Sequence, residues 1–151
     1  MLNEACRQAA EWRAQGIELQ IAINVSAQQF AQNNFVETVQ HVLQNYQLDA
    51  SSIELEVTES VGVKGMETMV KRLNDLRQLG ISIAIDDFGT GYSSLQYLED
   101  LPLDKLKIDR AFIQKIDAES ASDSLVNAVT SLAKTYKLKT CLLYTSDAAD
   151  E

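Results

Sequence analysis

Four stretches of the chain alternate between apolar and polar positions, and each is followed by residues with helical spacing. In the first stretch Ile17, Leu19, Ile21 and Ile23 form one phase, and Glu18, Gln20, Ala22 and Asn24 form the other. The second sets Ile53, Leu55 and Val57 against Glu54, Glu56 and Thr58. The third sets Ile81, Ile83 and Ile85 against Ser82, Ala84 and Asp86, and the short fourth places Lys107 between Leu106 and Ile108. A period of two is that of a strand, so Asn24, Glu56, Asp86 and Lys107 each lie on the face opposite the aliphatics.

Between these stretches the period becomes helical. Phe35, Val36, Val39, Val42, Leu43 and Tyr46 recur at three- and four-residue steps, as do Met66, Met69, Val70, Leu73 and Leu76, with a stop expected near Gly80. Leu125, Val126, Val129, Leu132 and Tyr136 repeat the pattern, and Ala5, Ala9 and Trp12 predict an opening helix over residues 4–15.

Strands that alternate with helices need crossovers, which make a mostly parallel sheet. Asn24, Glu56 and Asp86 recur at about the 30 residues of one βαβ unit, and the step to Lys107 is shorter. A doubly wound open sheet and a (β/α)8 barrel of the TIM type both fit. In a barrel the aliphatic phase faces outer helices and polar residues line the C-terminal rim, which is where all four polar residues fall. A whole barrel takes about 250 residues. The expectation is therefore a partial α/β barrel of about four strands with their helices.

Composition narrows the function. With 151 residues, 46% of them hydrophobic, the chain can bury a core. Its formal charge of −9 comes without a Lys/Arg cluster, which argues against direct binding to a nucleic acid polymer. An anionic substrate would need cations as intermediaries. There is no apolar run of membrane-spanning length and no signal-like start, so the segment is expected in the cytoplasm without membrane contact. Cys6 and Cys141 lack both disulfide-framework and zinc-site spacing.

The candidate chemistry sits at the strand ends. Asp86 and Asp87 would point to opposite faces unless the chain turned, and Gly89 and Gly91 can supply a turn that brings both carboxylates onto one or two metal ions. A capping Asp with a solvated neighbour is the alternative. Glu56 reads as an inward metal ligand with Glu59 anchoring a loop, or else Thr58 and Glu59 belong to a helix N-cap. Lys107 on the inner phase would need an anionic partner, or would reach out to water. One shared face for Asn24, Glu56, Asp86 and Lys107 favours a single site.

These residues carry a resemblance. Asn24-Val25-Ser26, Glu56-Val57-Thr58-Glu59, Asp86-Asp87-Phe88-Gly89-Thr90-Gly91-Tyr92-Ser93-Ser94 and Lys107-Ile108-Asp109-Arg110 resemble, in order and spacing, the EAL domain of bacterial cyclic di-GMP phosphodiesterases. The resemblance implies a modified (β/α)8 barrel that hydrolyses cyclic di-GMP to linear pGpG with Mg2+ or Mn2+. It implies Asn24, Glu56, Asp86 and Asp87 as metal ligands, with Asp86 bridging two ions, and Lys107 as the catalytic group that positions water. Glu59 would anchor the loop from Asp87 to Ser94, which couples homodimer formation to metal binding in that family. Two ions suit the chemistry, since they activate water and stabilise both the attacking and the leaving oxygens.

The resemblance also marks departures. The Glu-Ala-Leu motif that names the family is absent, as is the substrate-binding arginine after it, so a domain cut at both ends is expected. Where the family carries its general-base Glu, this chain has Leu143, which neither takes a proton nor binds a cation. Residues 1–140 are accordingly expected to be a partial EAL domain and residues 141–151 a non-native extension. The fragment is expected to hydrolyse cyclic di-GMP negligibly and to be poorly stable alone. The alternatives are a degenerate module that binds cyclic di-GMP or a partner without cleavage, and a dimerisation element.

Overall fold

The computed structural model describes residues 1–58, 61, 65–88, 100–109 and 123–142. Glu59, Gly89, Thr90, Gly91, Tyr92, Ser93, Ser94, Arg110 and Leu143 lie outside the described residues. The elements run α1 (Leu2–Ala14), β1 (Ile21–Val25), α2 (Ala27–Phe30), α3 (Phe35–Asn45), β2 (Ile53–Thr58), α4 (Met66–Gln78), β3 (Ser82–Phe88), β4 (Lys105–Ile108), α5 (Asp123–Thr135) and β5 (Lys139–Leu142). The five strands form one sheet in the order β1-β2-β3-β4-β5, parallel at every pairing. A doubly wound sheet reverses its strand order at a switch point, whereas this order follows the chain throughout, as in a barrel wall. The described residues thus hold five strands, the four read from alternation and β5, in line with the partial barrel of about four strands expected. β5 runs to Leu142, across the boundary expected at residue 140.

The first strand is shorter than its alternation suggested. Ile17 and Leu19 are 44% and 54% exposed, and the ladder begins at Ile21 opposite Ile53. A 3-10 turn at Ala50–Ser52 occupies the chain just before β2, so residues 17–20 have no strand to pair with. At the end of α4, Gly80 adopts φ +99°, and its N–H and that of Ile81 bond back to Arg77 O and Leu76 O. That left-handed residue closes the helix where expected.

The core lies between the outer face of the sheet and the helices. Ile53, Leu55, Val57, Ile83, Ile85, Leu106 and Ile108 pack there with Val39, Met69, Leu73 and Leu76, all essentially without exposure. Burying each aliphatic contributes about 1.5–3 kcal/mol, so this layer fixes the register. Because side chains alternate, fixing it commits the opposite set to the inner face: Asn24, Glu54, Glu56, Ala84, Asp86, Lys105 and Lys107. Among the described residues no helix is long and apolar enough to cross a membrane.

Candidate functional site

Two ion pairs cross the inner face, each from β4 to β2 over the intervening β3. Lys105 Nζ donates to Glu54 Oε1 at 2.9 Å and lies 2.7 Å from Oε2. Lys107 Nζ donates to both oxygens of Glu56 at 2.8 Å. Strands two places apart are separated by about 10 Å, so each lysine stem must pass over β3. Ala84 makes this passage open: it is the ladder partner of Glu56 on one side and of Lys105 on the other, with 0% exposure. A larger side chain there would fill the space the lysines use.

The upper pair has a third member. Lys107 Nζ stands 3.4 Å from Asp86 Oδ1, so one ammonium serves two carboxylates. Asp86 faces inward in regular register with β2, and a bulge toward β4 sets Asp87 next to it across from Lys107. Ile85 pairs with Leu106 and Phe88 with Ile108, which leaves Asp86 and Asp87 together opposite Lys107. Asp87 takes φ +57°, in the left-handed region that Asp tolerates better than most residues, and its N–H donates to Asp86 Oδ1 at 2.9 Å. The turn that redirects the acidic pair thus begins inside β3, ahead of the glycines expected to supply it.

Electrostatics follow from this packing. Burial draws the Lys107 pKa down, but the hydrogen bond to Glu56 and the charges of Asp86 and Glu56 outweigh it, leaving the ammonium above the ordinary lysine value. Burial also pushes the Asp87 carboxyl above its ordinary range. The neighbouring charges of Asp86 and Asp109 add to that rise, and Lys107 opposes it. Glu56 is 7% exposed and Glu54 4%, so each carboxylate is withdrawn from water and depends on its lysine for compensation.

Of the candidate residues, Glu56, Asp86 and Lys107 come together. Asn24 is the ladder neighbour of Glu56, and among the described residues its side chain has no hydrogen-bond partner. Asp109 is close enough for its charge to raise the Asp87 carboxyl. Among the described residues no group of three His, Cys, Asp or Glu side chains is placed to hold a metal ion. Sequence reasoning missed the Glu54–Lys105 pair. Its signal was available, since Glu54 and Glu56 repeat at the same spacing and phase as Lys105 and Lys107.

A parallel wall in chain order, with Glu56, Asp86 and Lys107 toward the C-terminal ends of their strands, defines a segment of a (β/α)8 barrel. The EAL domain model matches residues 1–147, and the chain belongs to the EAL domain family. It is 43% identical over 140 residues to the bifunctional diguanylate cyclase/cyclic di-GMP phosphodiesterase MucR of Pseudomonas aeruginosa, covering 92% of this chain and 20% of MucR. It is 40% identical over 139 residues to the signaling protein YkoW of Bacillus subtilis, covering 92% of this chain and 17% of YkoW. The structure of the PaMucR phosphodiesterase in complex with c-di-GMP superposes with TM-score 0.85 at 40% identity, covering 99% of this chain and 62% of that one. The chain thus spans about a fifth of the length of these curated relatives.

Proposed function

We propose that this chain is the ion-holding segment of a cyclic di-GMP phosphodiesterase domain, whose parent opens cyclic di-GMP to linear pGpG with Mg2+ or Mn2+. The observation that carries the reading is the buried Glu56 carboxylate at the barrel rim, with both oxygens on one cationic group and Asp86 beside it. The donor set fits a divalent ion. What supports this is that a cationic group already sits between the carboxylates, that their atoms are hard oxygens, and that Asn24 is the ladder neighbour of Glu56. Glu56 and Asp86 would hold the ion, with Asn24 and Asp87 as further ligands. When bound, such ions activate water and neutralise charge on the phosphodiester.

The chain's own residues supply the rest. Lys107 brings positive charge to the rim of a protein with formal charge −9, and together with bound ions it would offset the charge of an anionic dinucleotide there. The redirected Asp86-Asp87 pair fixes one edge of the site. Glu59 and the loop from Asp87 to Ser94 would tie the site to a homodimer contact in the intact domain. Residues 1–140 are the domain segment in this reading, residues 141–151 an extension, and the cytoplasm the compartment of cyclic di-GMP turnover.

Leu143 in place of the general-base Glu favours a second reading, a module that binds cyclic di-GMP without cleaving it. Calorimetry with cyclic di-GMP and chromatography of the products, each with and without Mn2+, test both readings. The 151-residue chain is expected to bind the dinucleotide only with Mn2+ and to release pGpG negligibly, and Leu143→Glu is expected to raise release. Binding that ignores Mn2+ would favour the second reading, and no binding in either condition would sink both.

A further inference from the structure

The two ion pairs of the inner face are built alike but charged differently. Below, one carboxylate, Glu54, meets one ammonium, Lys105, and the pair is neutral. Above, two carboxylates, Glu56 and Asp86, share the single ammonium of Lys107, which leaves one negative charge in excess. We propose that Lys107 is a displaceable internal cation. It holds Glu56 and Asp86 in place for a divalent ion and gives up its position when that ion enters. The proposal rests on the reading above that Glu56 and Asp86 take such an ion.

The geometry makes the two occupants compete. Lys107 Nζ lies 2.8 Å from both Glu56 oxygens, on the side that also faces Asp86. An Mg2+ ion bound to the same oxygens would sit about 2.0–2.1 Å from them. Two cations cannot share that position, because like charges at such separations repel strongly in a partly buried site. The divalent ion is favoured there because it neutralises both carboxylates, whereas the ammonium neutralises one. A lysine stem is flexible, so Lys107 can swing toward the open side of the sheet without breaking the β4 ladder. Lys105 has no such pressure on it, as among the described residues no second carboxylate is bonded to it. The lower pair is thus a permanent strut and the upper one exchangeable.

The experiment compares Mn2+ binding by the full 151-residue chain and its Lys107→Met and Lys105→Met variants, read from the electron paramagnetic resonance of free Mn2+. With the competing charge removed, Lys107→Met is expected to bind about tenfold tighter than the unaltered chain, and Lys105→Met within about twofold of it. Equal or weaker binding by Lys107→Met overturns the proposal. A second measurement does not depend on any variant's affinity. In the unaltered chain with 13C-labelled lysines, the Lys107 side-chain resonance, assigned by its loss in Lys107→Arg, is expected to move on Mg2+ addition while that of Lys105 stays. A Lys107 signal unmoved at saturating Mg2+ also overturns it. The two readings fail separately. If the unaltered chain binds Mn2+, more weakly than Lys107→Met does, but takes no cyclic di-GMP, the displaceable lysine stands and the phosphodiesterase reading falls. If the unaltered chain binds both and Lys107→Met gains nothing, the reverse holds.

Discussion

The Glu54–Lys105 and Glu56–Lys107 pairs come from the same two strands, cross the same Ala84, and differ by one neighbour. Among the described residues the lower carboxylate has no second acid on its lysine, whereas the upper one shares its lysine with Asp86. A buried, isolated pair contributes by not being broken, since its net value over a well-packed apolar pair is small. An overcharged pair at a rim is poised to take up another cation. One construction, repeated two residues apart, thus serves stability in one layer and chemistry in the next.

The sharpest way to break the comparison is Lys105→Met, which leaves Glu54 charged and buried without a partner. Urea unfolding is expected to show a loss of about 3 kcal/mol, and a Glu54→Leu/Lys105→Met double variant should recover most of it. If the double variant is no more stable than the single one, the lower layer is not a strut. Next in size is Ala84→Leu, which overfills the crossing and is expected to cost about 2 kcal/mol. Its signature is non-additivity: combined with Ala84→Leu, Lys105→Met should cost much less than it does in the unaltered chain. Full additivity would mean that the lysines do not depend on the gap over β3.

How much of this was readable from sequence divides along physical lines. Phase is local, so the inner face of Asn24, Glu56, Asp86 and Lys107 followed from alternation alone. Helix ends such as Gly80 were legible because the left-handed residue marks itself. Ladder length was not, because whether Ile17 and Leu19 pair depends on where β2 begins, far along the chain at Ile53. The bulge at Asp86-Asp87 was hidden for a similar reason. It exists only relative to the step of β4, and no property of the two aspartates taken alone reveals it. The Glu54–Lys105 pair needed charge to be tracked across strands two places apart, over an alanine whose smallness has meaning only in the sheet.

A smaller effect separates the rim from the layer below. Just past Asn24 and Val25, Ser26 caps α2 reciprocally: its hydroxyl accepts from Gln29 N–H, and its own N–H donates to the Gln29 side chain. Ser26→Ala is expected to cost about 1 kcal/mol by urea unfolding. Because the cap lies above the rim and not under it, the Lys105 strut should be unaffected, so the effects of Ser26→Ala and Lys105→Met should add. Coupling between them would show that the rim and the lower layer are one cooperative unit.

The smallest expected effect concerns Asp87, whose carboxyl is raised by burial and then by Asp86 and Asp109. A raised carboxyl favours its protonated form in the folded state. The stability it contributes is therefore fully present below the unfolded value of 3.8 and is lost as pH rises through the higher folded value. Asp87→Asn keeps a side chain that tolerates φ +57° and removes the charge, so near neutral pH it should be slightly the more stable by urea unfolding. The gain should shrink as pH falls toward the ordinary carboxylate range, because the unaltered protein becomes neutral there as well. Lys107 behaves oppositely over neutral pH. Its raised ammonium keeps its contribution below 10.5 and loses it only as pH rises through the still higher folded value, so Asp87 alone of the two should leave a signature in acid. An Asp87→Asn difference that stays flat from neutral pH into acid would show that the aspartate carries no excess charge cost, and that the redirected pair is held by backbone geometry alone.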